Sequence, residues 1–228
     1  MIIGVFSDAH GNETGFFKCL DFLRNKAEKI FFLGDACGYF PFSNRIIEAL
    51  RDNNIVSLKG NHDAMLLGEL DYPSSSEHIY QVKRSREEAD ASSFLFLKEL
   101  PSSLETTIDG RKLLFVHGSP ANPLNGYVYP DTAIENFAVT GYDVIFMGHT
   151  HRPFIKENNG QLLVNVGSCG LPRDIGNRLT VVLYDTDKYE ATLQEIEMYT
   201  DDIIRQYEGR LHPSVKDVLN RNHKNYGS

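Results

Sequence analysis

A chain of 228 residues with 41% hydrophobic content can bury one substantial core, which makes one catalytic domain with additions the expectation. Its 23 basic residues against 31 acidic ones give a net charge of −8, which leaves no large basic surface for the backbone of duplex DNA or RNA. The longest apolar runs, such as Ile30 to Leu33 and Leu113 to Val116, fall far short of the roughly 20 residues of a membrane span, and Met1 runs into a strand-like segment without a signal-peptide pattern, so a cytoplasmic protein with no membrane partner is expected.

In chain order, Ile2 to Phe6 is a short apolar run. Asn12 is positioned to cap a helix carrying Phe16, Phe17, Leu20, Phe22 and Leu23. A second run at Ile30 to Leu33 follows, then a helix capped by Ser43 with Ile46, Ile47 and Leu50, then a third run at Ile55 to Leu58. This βαβαβ pattern predicts a parallel sheet with helices packed on it. Residues 64 to 111 are polar and helix-favouring and read as an inserted cap. Strand-like runs return at Lys112 to Val116, Val144 to Met147, Leu162 to Val166, Leu179 to Tyr184 and Thr192 to Ile196, with a helix near Thr132 to Val139. The later runs lack intervening helices, which predicts mainly antiparallel pairing and either one mixed sheet or two sheets face to face. The extension from about 197 to 228 carries weakly amphipathic stretches at Ile203 to Tyr207 and Val215 to Leu219, and its last few residues are expected to fray. Cys19, Cys37 and Cys169 are few, odd in number and widely spaced, as reduced thiols would be.

The chemistry-bearing residues recur after the apolar runs: Asp8 and His10, then Asp35, then Asn61 and His62, then His117, then His149 and His151. Strand C-termini in α/β sheets open into the ligand crevice, so these groups are expected to converge. Taken singly, each is as well explained by a tight turn or a solvated histidine. Five in order, each at a strand end, are hard to assemble from unrelated turns. Imidazoles with carboxylates and no thiolate suit manganese, iron or zinc, and a central carboxylate such as Asp35 can bridge two ions about 3.5 to 4 Å apart, the clamp that activates water and neutralises phosphoryl oxygens.

Asp8-Ala9-His10-Gly11-Asn12, Gly34-Asp35, Gly60-Asn61-His62-Asp63, His117-Gly118 and Gly148-His149-Thr150-His151 resemble, over about residues 1 to 185, the five signatures of the calcineurin-like metallophosphoesterase superfamily. Asn165-Val166-Gly167-Ser168 and Pro172-Arg173-Asp174 further resemble its small prokaryotic phosphodiesterase branch. The resemblance implies an α/β fold, a four-layer α-β-β-α sandwich of two mixed sheets with flanking helices. It implies one divalent ion on Asp8, His10, Asp35 and His151 and a second on Asp35, Asn61, His117 and His149. Asn12 and His62 would then face the substrate phosphate, with His62 free to protonate the departing oxygen or stabilise the transition state.

Ser/Thr protein phosphatases of the superfamily carry Asp and Arg where this chain has Gly38 and Tyr39, so a phosphoprotein substrate is not expected, and Asp63 becomes the neighbouring candidate to orient His62. Arg152 and Arg173 are candidate phosphate ligands, although single arginines equally form surface ion pairs. Tyr39, Phe40, Phe42, Tyr127 and Tyr129 read either as an aromatic rim for a nucleobase or, more simply, as buried packing. His78, His212 and His223 lie outside any motif and read as solvated side chains. The expected function is hydrolysis, by a hydroxide bridging two metal ions, of a phosphodiester or phosphoanhydride in a small, nucleotide-like molecule. A phosphomonoesterase, a dinucleoside polyphosphate hydrolase, and a non-catalytic scaffold like the retromer subunit of the same fold are the alternatives.

Overall fold

The computed structural model describes residues 1–222; the expectations for the frayed end from 223 onward, and for His223, lie outside the described residues. Strand β1 (Ile2–Phe6) leads through the Asn12-capped helix α1 (Glu13–Arg24) to β2 (Lys29–Phe32), and α2 (Asn44–Asp52), capped by the Ser43 hydroxyl, leads to the two-residue β3 (Val56–Ser57). Both caps accept a backbone N–H that the first helical turn leaves unpaired, as their sequence positions predict. Helices α3 (Asn61–Leu67), α4 (Glu77–Tyr80), α5 (Val82–Glu88) and α6 (Ala91–Glu99) follow. After them come β4 (Ser103–Ile108), β5 (Arg111–Val116), β6 (Val144–Met147), β7 (Phe154–Asn158), β8 (Gln161–Asn165), β9 (Arg178–Asp185) and β10 (Glu190–Glu197), and then α7 (Thr200–Gln206) and α8 (Pro213–Leu219).

The strands form two mixed five-stranded sheets, ordered β10-β9-β1-β2-β3 and β4-β5-β6-β8-β7. β1, β2 and β3 pair in parallel, as do β5, β6 and β8, whereas β4, β7, β9 and β10 pair antiparallel. This is the expected α/β architecture of two mixed sheets with flanking helices. Three elements differ from the sequence reading. The stretch expected as the end of an insert contains β4, whose Glu105 and Thr107 alternate with partly buried residues on an edge strand, so its mean polarity hides the strand period. β7 was hidden for the same reason, its Lys-Glu-Asn half lying at the sheet edge. The helix expected near 132–139 is only a 3-10 turn at Ile134–Asn136. One turn is enough to lay Ile134 and Phe137 against Leu114, Ile145 and Leu163 on the outer face of the second sheet.

Alternation along the strands sends Ile3, Val5 and Phe31 of the first sheet against Leu113, Phe115, Val144 and Phe146 of the second. Phe31 stacks on Phe115 at 4.2 Å, Phe115 on Phe146 at 5.0 Å, and Phe146 meets Tyr184 edge-on at 5.8 Å, so aromatic contacts run from one sheet to the other and back. The outer face of the first sheet carries Phe6, packed against Phe16 and Phe32, under α1 and α2. Ile203, Tyr207, Leu211, Val215 and Leu219 join the same apolar cluster, so α7, α8 and the turn between them are part of the core.

The sheet-to-sheet stack gives the first prediction. Phe115→Ala, which leaves a cavity between the sheets that neither neighbour can fill, is expected to lower unfolding free energy by about 3 to 5 kcal/mol in denaturant titration.

Candidate metal centre

The candidate ligands sit where the parallel strands of both sheets end. Asp8 follows β1, Asp35 follows β2, Asn61 opens α3 just beyond β3, His117 follows β5, and His149 and His151 follow β6. Asp8, His10, Asp35, His149 and His151 all have left-handed backbone, with φ between 51° and 67°. For residues with a Cβ that conformation costs about 1 kcal/mol or more, and its concentration in five of these seven residues marks a site whose geometry the rest of the fold holds under strain.

Hydrogen bonds settle which ring nitrogens face inward. The Nδ1 atoms of His10, His117 and His151 lie 3.0, 3.0 and 2.6 Å from the carbonyls of Cys37, Leu33 and Leu171. A carbonyl only accepts, so each Nδ1 carries the hydrogen, and in a neutral ring each Nε2 presents a lone pair to the centre. His10 Nε2 and His151 Nε2 are 2.9 Å apart; His117 Nε2 is 3.0 Å from Asn61 Oδ1 and 3.2 Å from His149 Nδ1. Around them, Asp8 Oδ1 lies 3.2 Å from His151 Nε2, and Asp35 Oδ2 lies 3.6 Å from His10 Nε2 and 3.5 Å from His117 Nε2. Two sets, Asp8 with His10 and His151, and Asp35 with His117 and His149, each offer atoms close enough to share an ion, and Asp35 Oδ2 lies between them. Asp8 Oδ1 and His149 Nε2 are buried without a hydrogen-bond partner. Lone pairs packed against lone pairs repel unless a cation lies among them, so these residues fit divalent metal.

The charge distribution agrees. Burial pushes the His149 ring down to about 3 and the His151 ring to about 4, the neutral form a metal ligand requires. His117 differs: burial is outweighed by the Asp35 carboxylate and the ring is held up to about 9, so without a cation it carries the proton that a metal ion would displace. At Asp8 and Asp35 burial, which alone would favour the protonated acids, is overcome by the neighbouring imidazoles, and both carboxyls stay well below the usual range.

A second ring of residues holds this arrangement, and the sequence reading missed most of it. The Asp63 carboxylate accepts from the backbone N–H groups of Asp35, Ala36, Cys37 and Gly60 at 2.8 to 3.3 Å. It clamps the Asp35 loop to the start of α3 and does not point at His62, contrary to the expectation that it orients that ring. Burial and the nearby Asp35 charge push its own carboxyl up to about 6 against those bonds. Asp35 Oδ1 accepts from the His62 N–H at 2.8 Å, and a Cβ at Gly60 would lie 2.1 Å from that oxygen, so only glycine fits. Ser168 Oγ donates to the Asp8 carbonyl, Asn165 Nδ2 to the Gly148 carbonyl and His149 N to Asp8 Oδ2, which gives the Asn165-to-Ser168 motif its physical role: it ties the Asp8 loop to the His149 loop.

His62 is buried between Tyr39, Tyr80 and the edge of His10, with ring centroids 4.7 to 4.9 Å away, and one of its ring nitrogens can approach the His10 and Asp35 donor atoms. A Cβ at position 38 would lie 2.4 Å from His62 Nδ1, so Gly38 leaves no room there for the Asp of the protein phosphatases. Burial pushes the His62 ring down to about 3.

A cleft of about 230 Å³ opens over these residues, lined by Asp35, Asn61, His62, His149 and His151 together with Tyr39, Met65, Asp71, Pro73, Tyr80, Asn125, Tyr127 and Arg173. Arg173 reaches it with Nη2 donating to the Tyr39 hydroxyl at 2.6 Å. A larger, open hollow of about 350 Å³ beside β4 and β5 carries none of the motif residues.

Two expected phosphate ligands lie elsewhere. Asn12 is fully buried: its Oδ1 caps α1 and its Nδ2 donates to the Gly170 carbonyl and Met198 Sδ, so its amide serves packing and does not face the cleft. Arg152 lies over the Tyr129 ring at 5.7 Å and is not among the cleft-lining residues. Phe40 and Phe42 are core residues, as the simpler reading of the aromatics holds, whereas Tyr39 and Tyr127 line the cleft. Cys37 and Cys169 are buried, which pushes both thiols well above their usual range and leaves them unreactive. His212 is no solvated bystander: its Nδ1 caps α8, and its ring lies 4.8 Å from that of the exposed His78.

Comparison with known families agrees with this geometry: residues 1–189 match the model of the calcineurin-like phosphoesterase superfamily domain. The chain belongs to that superfamily. Over 226 aligned residues this calcineurin-like chain is 32% identical to an uncharacterized protein of Methanocaldococcus jannaschii, covering 91% of this chain and 90% of that one. The crystal structure of a metallophosphoesterase from Sphaerobacter thermophilus superposes with a TM-score of 0.77 at 26% identity, covering 96% of this chain and 98% of that one. A hypothetical protein from Pyrococcus horikoshii OT3 shares the fold at a TM-score of 0.80 and 20% identity, with the same coverage. The superfamily is metal-dependent, and the clustered histidines and aspartates are the groups that would serve it here. Among the described residues no helix is long and apolar enough to cross a membrane.

The clamp on the Asp35 loop is testable. Asp63→Asn replaces one acceptor oxygen by an NH2 group facing backbone N–H donors. It is expected to cost about 2 kcal/mol in denaturant titration and to weaken manganese binding, followed by equilibrium dialysis, about 10- to 100-fold.

Proposed function

We propose that this chain is a dinuclear-metal phosphoesterase that hydrolyses a phosphodiester or phosphoanhydride in a small, nucleotide-like molecule. The observation that carries the reading is the pair of inward-facing donor sets, His10 Nε2 and His151 Nε2 at 2.9 Å and His117 Nε2 and His149 Nδ1 at 3.2 Å, joined through Asp35 Oδ2. One ion is assigned to Asp8, His10, Asp35 and His151 and the other to Asp35, Asn61, His117 and His149, with manganese, iron or zinc as the candidates. When bound, two such ions supply a water that is nucleophilic at neutral pH and charge neutralisation on the phosphoryl oxygens.

The protein's own groups supply the rest. The outward Nδ1–H bonds of His10, His117 and His151 fix ring orientation, so the donor set is preorganised. Arg173, braced on Tyr39, is placed to orient a phosphoryl oxygen from the cleft wall. His62 is assigned the part of a neutral hydrogen-bond donor. Its burial among three rings disfavours the imidazolium that an acid role would need, so stabilisation of the transition state is favoured over protonation of the leaving oxygen. A diester is preferred over a monoester because Arg173 is the one basic side chain of the cleft lining and Asp71 offsets it, which leaves little extra positive charge for a phosphoryl dianion. The complete set of candidate ligands separates the chain from a scaffold that has lost them.

We further read residues 1–228 as a single domain in which the chain between α3 and β4 acts as a cap, contributing Asp71, Pro73 and Tyr80 to the cleft wall. A small cytoplasmic substrate is proposed, not duplex nucleic acid.

Manganese-loaded protein should hydrolyse bis(p-nitrophenyl) phosphate in preference to p-nitrophenyl phosphate; the reverse preference contradicts the diester assignment. His62→Ala should keep its metal content in elemental analysis and lose about 10²- to 10³-fold in kcat, or about 2.7 to 4 kcal/mol. That loss should be the same for nitrophenyl and nucleoside esters. A defect confined to nucleoside esters, whose alkoxide needs a proton, would show that His62 is an acid after all.

A further inference from the structure

Asp71, Asn125 and Tyr127 are polar cleft-lining side chains with no part in holding metal, orienting phosphate or packing against His62. Asp71 is solvent-exposed, and its carboxylate makes no hydrogen bond or ion pair with any described residue. In a cleft that must admit a phosphate anion beside Asp35, an unpaired carboxylate repels every substrate alike. It favours only a substrate that brings N–H donors to it.

Asn125 is held through its backbone N–H on Asn122 Oδ1, and its side-chain amide makes no hydrogen bond to a described residue. Tyr127 has 56% of its surface exposed, with its ring centroid 4.2 Å from that of His149 and the exposed Tyr129 ring nearly parallel to it at 6.0 Å, an offset that leaves ring face open to solvent. A flat group laid on this tyrosine therefore lies next to the reacting phosphate. The loop that carries it is braced: Gly118 N–H donates to the Pro123 carbonyl, Gly126 N–H to the Asn122 carbonyl, and the Thr150 hydroxyl to the Val128 carbonyl. A tyrosine left half in solvent on a rigid loop is a stacking surface already in position, and a purine or pyrimidine face is the flat apolar surface it suits.

We infer that Tyr127, Asp71 and Asn125 form a base-reading subsite for a nucleoside phosphate ester whose base presents adjacent N–H donors on one edge, as guanine does at N1 and N2. The base stacks on Tyr127, the Asp71 carboxylate accepts the donor pair, and the Asn125 amide offers both a donor and an acceptor to the remaining polar edge. The inference rests on the phosphoesterase reading for what happens to the phosphate, not for how the base is held.

The test is calorimetric titration of the manganese-loaded full chain with GMP and with IMP, which lacks only the 2-amino group. GMP should bind about tenfold or more tightly than IMP, since a paired hydrogen-bond contact to a base edge discriminates on that scale. Asp71→Asn should bring the two within about twofold, and Tyr127→Leu should weaken both by a common factor as the stack is lost. Equal affinities, or no binding of either nucleotide, would overturn the subsite. So would an Asp71→Asn variant that binds both more tightly by the same factor, because Asp71 would then act only as a repulsive charge. Hydrolysis of bis(p-nitrophenyl) phosphate, followed in parallel, keeps the two readings apart: an intact GMP preference without hydrolysis supports the subsite and contradicts the hydrolase, whereas hydrolysis with equal GMP and IMP binding contradicts the subsite alone.

Discussion

Two imidazole nitrogens that both present lone pairs, His10 Nε2 and His151 Nε2, are held 2.9 Å apart on rings that are almost fully buried. Beside them, His117 Nε2 lies 3.0 Å from Asn61 Oδ1 and 3.2 Å from His149 Nδ1. Acceptors at these separations repel, and the repulsion must be opposed by structure around them until a cation turns it into attraction. That constraint explains why loops contributed by both sheets are tied together so closely. Asp63 gathers four backbone N–H groups, Ser168 bonds the Asp8 carbonyl, and His149 donates its backbone N–H back to Asp8. The left-handed backbone at five of the seven candidate ligands is the local cost of that convergence.

The stability that offsets such strain comes from elsewhere in the chain. The face-to-face sheets bring Phe31, Phe115, Phe146 and Tyr184 into one contact series between them, and the C-terminal helices complete the outer cluster of the first sheet. Division of labour follows: the core fixes where the strand ends lie, and the polar network fixes how the side chains at those ends are aimed. The chain between α3 and β4 adds to the cleft wall, with Tyr80 against His62 and with Asp71 and Pro73 among the lining residues.

Much of this was legible in the residues because each candidate ligand follows an apolar run, and a strand end is a position that sequence period can locate. Asp8, Asp35 and His117 were placed by that rule, and the caps of α1 and α2 by side-chain chemistry alone. β4 and β7 were not legible because edge strands can alternate with charged residues on their open side. Asn12 was misread for a related reason: a conspicuous polar residue inside a motif suggests substrate, but burial and three hydrogen-bonding partners give it a structural role. Asp63 shows the reverse, since nothing local in Asn-His-Asp indicates that the last residue reaches back across the chain to the Asp35 loop. Tyr80 and Asp71 sit in polar helix-favouring sequence without a motif, so only the folded chain brings them to the cleft.

The candidate ligands are proposed to hold two divalent ions through one shared carboxylate. The most direct measurement is the manganese content of the purified, metal-loaded chain and of its Asp35→Asn variant, by elemental analysis after equilibrium dialysis. About two ions per chain are expected in the parent, with both occupancies depressed in the variant, because a carboxamide cannot bridge two cations as a carboxylate does. A parent chain that binds one ion or none, or a variant that retains both, would contradict that proposal.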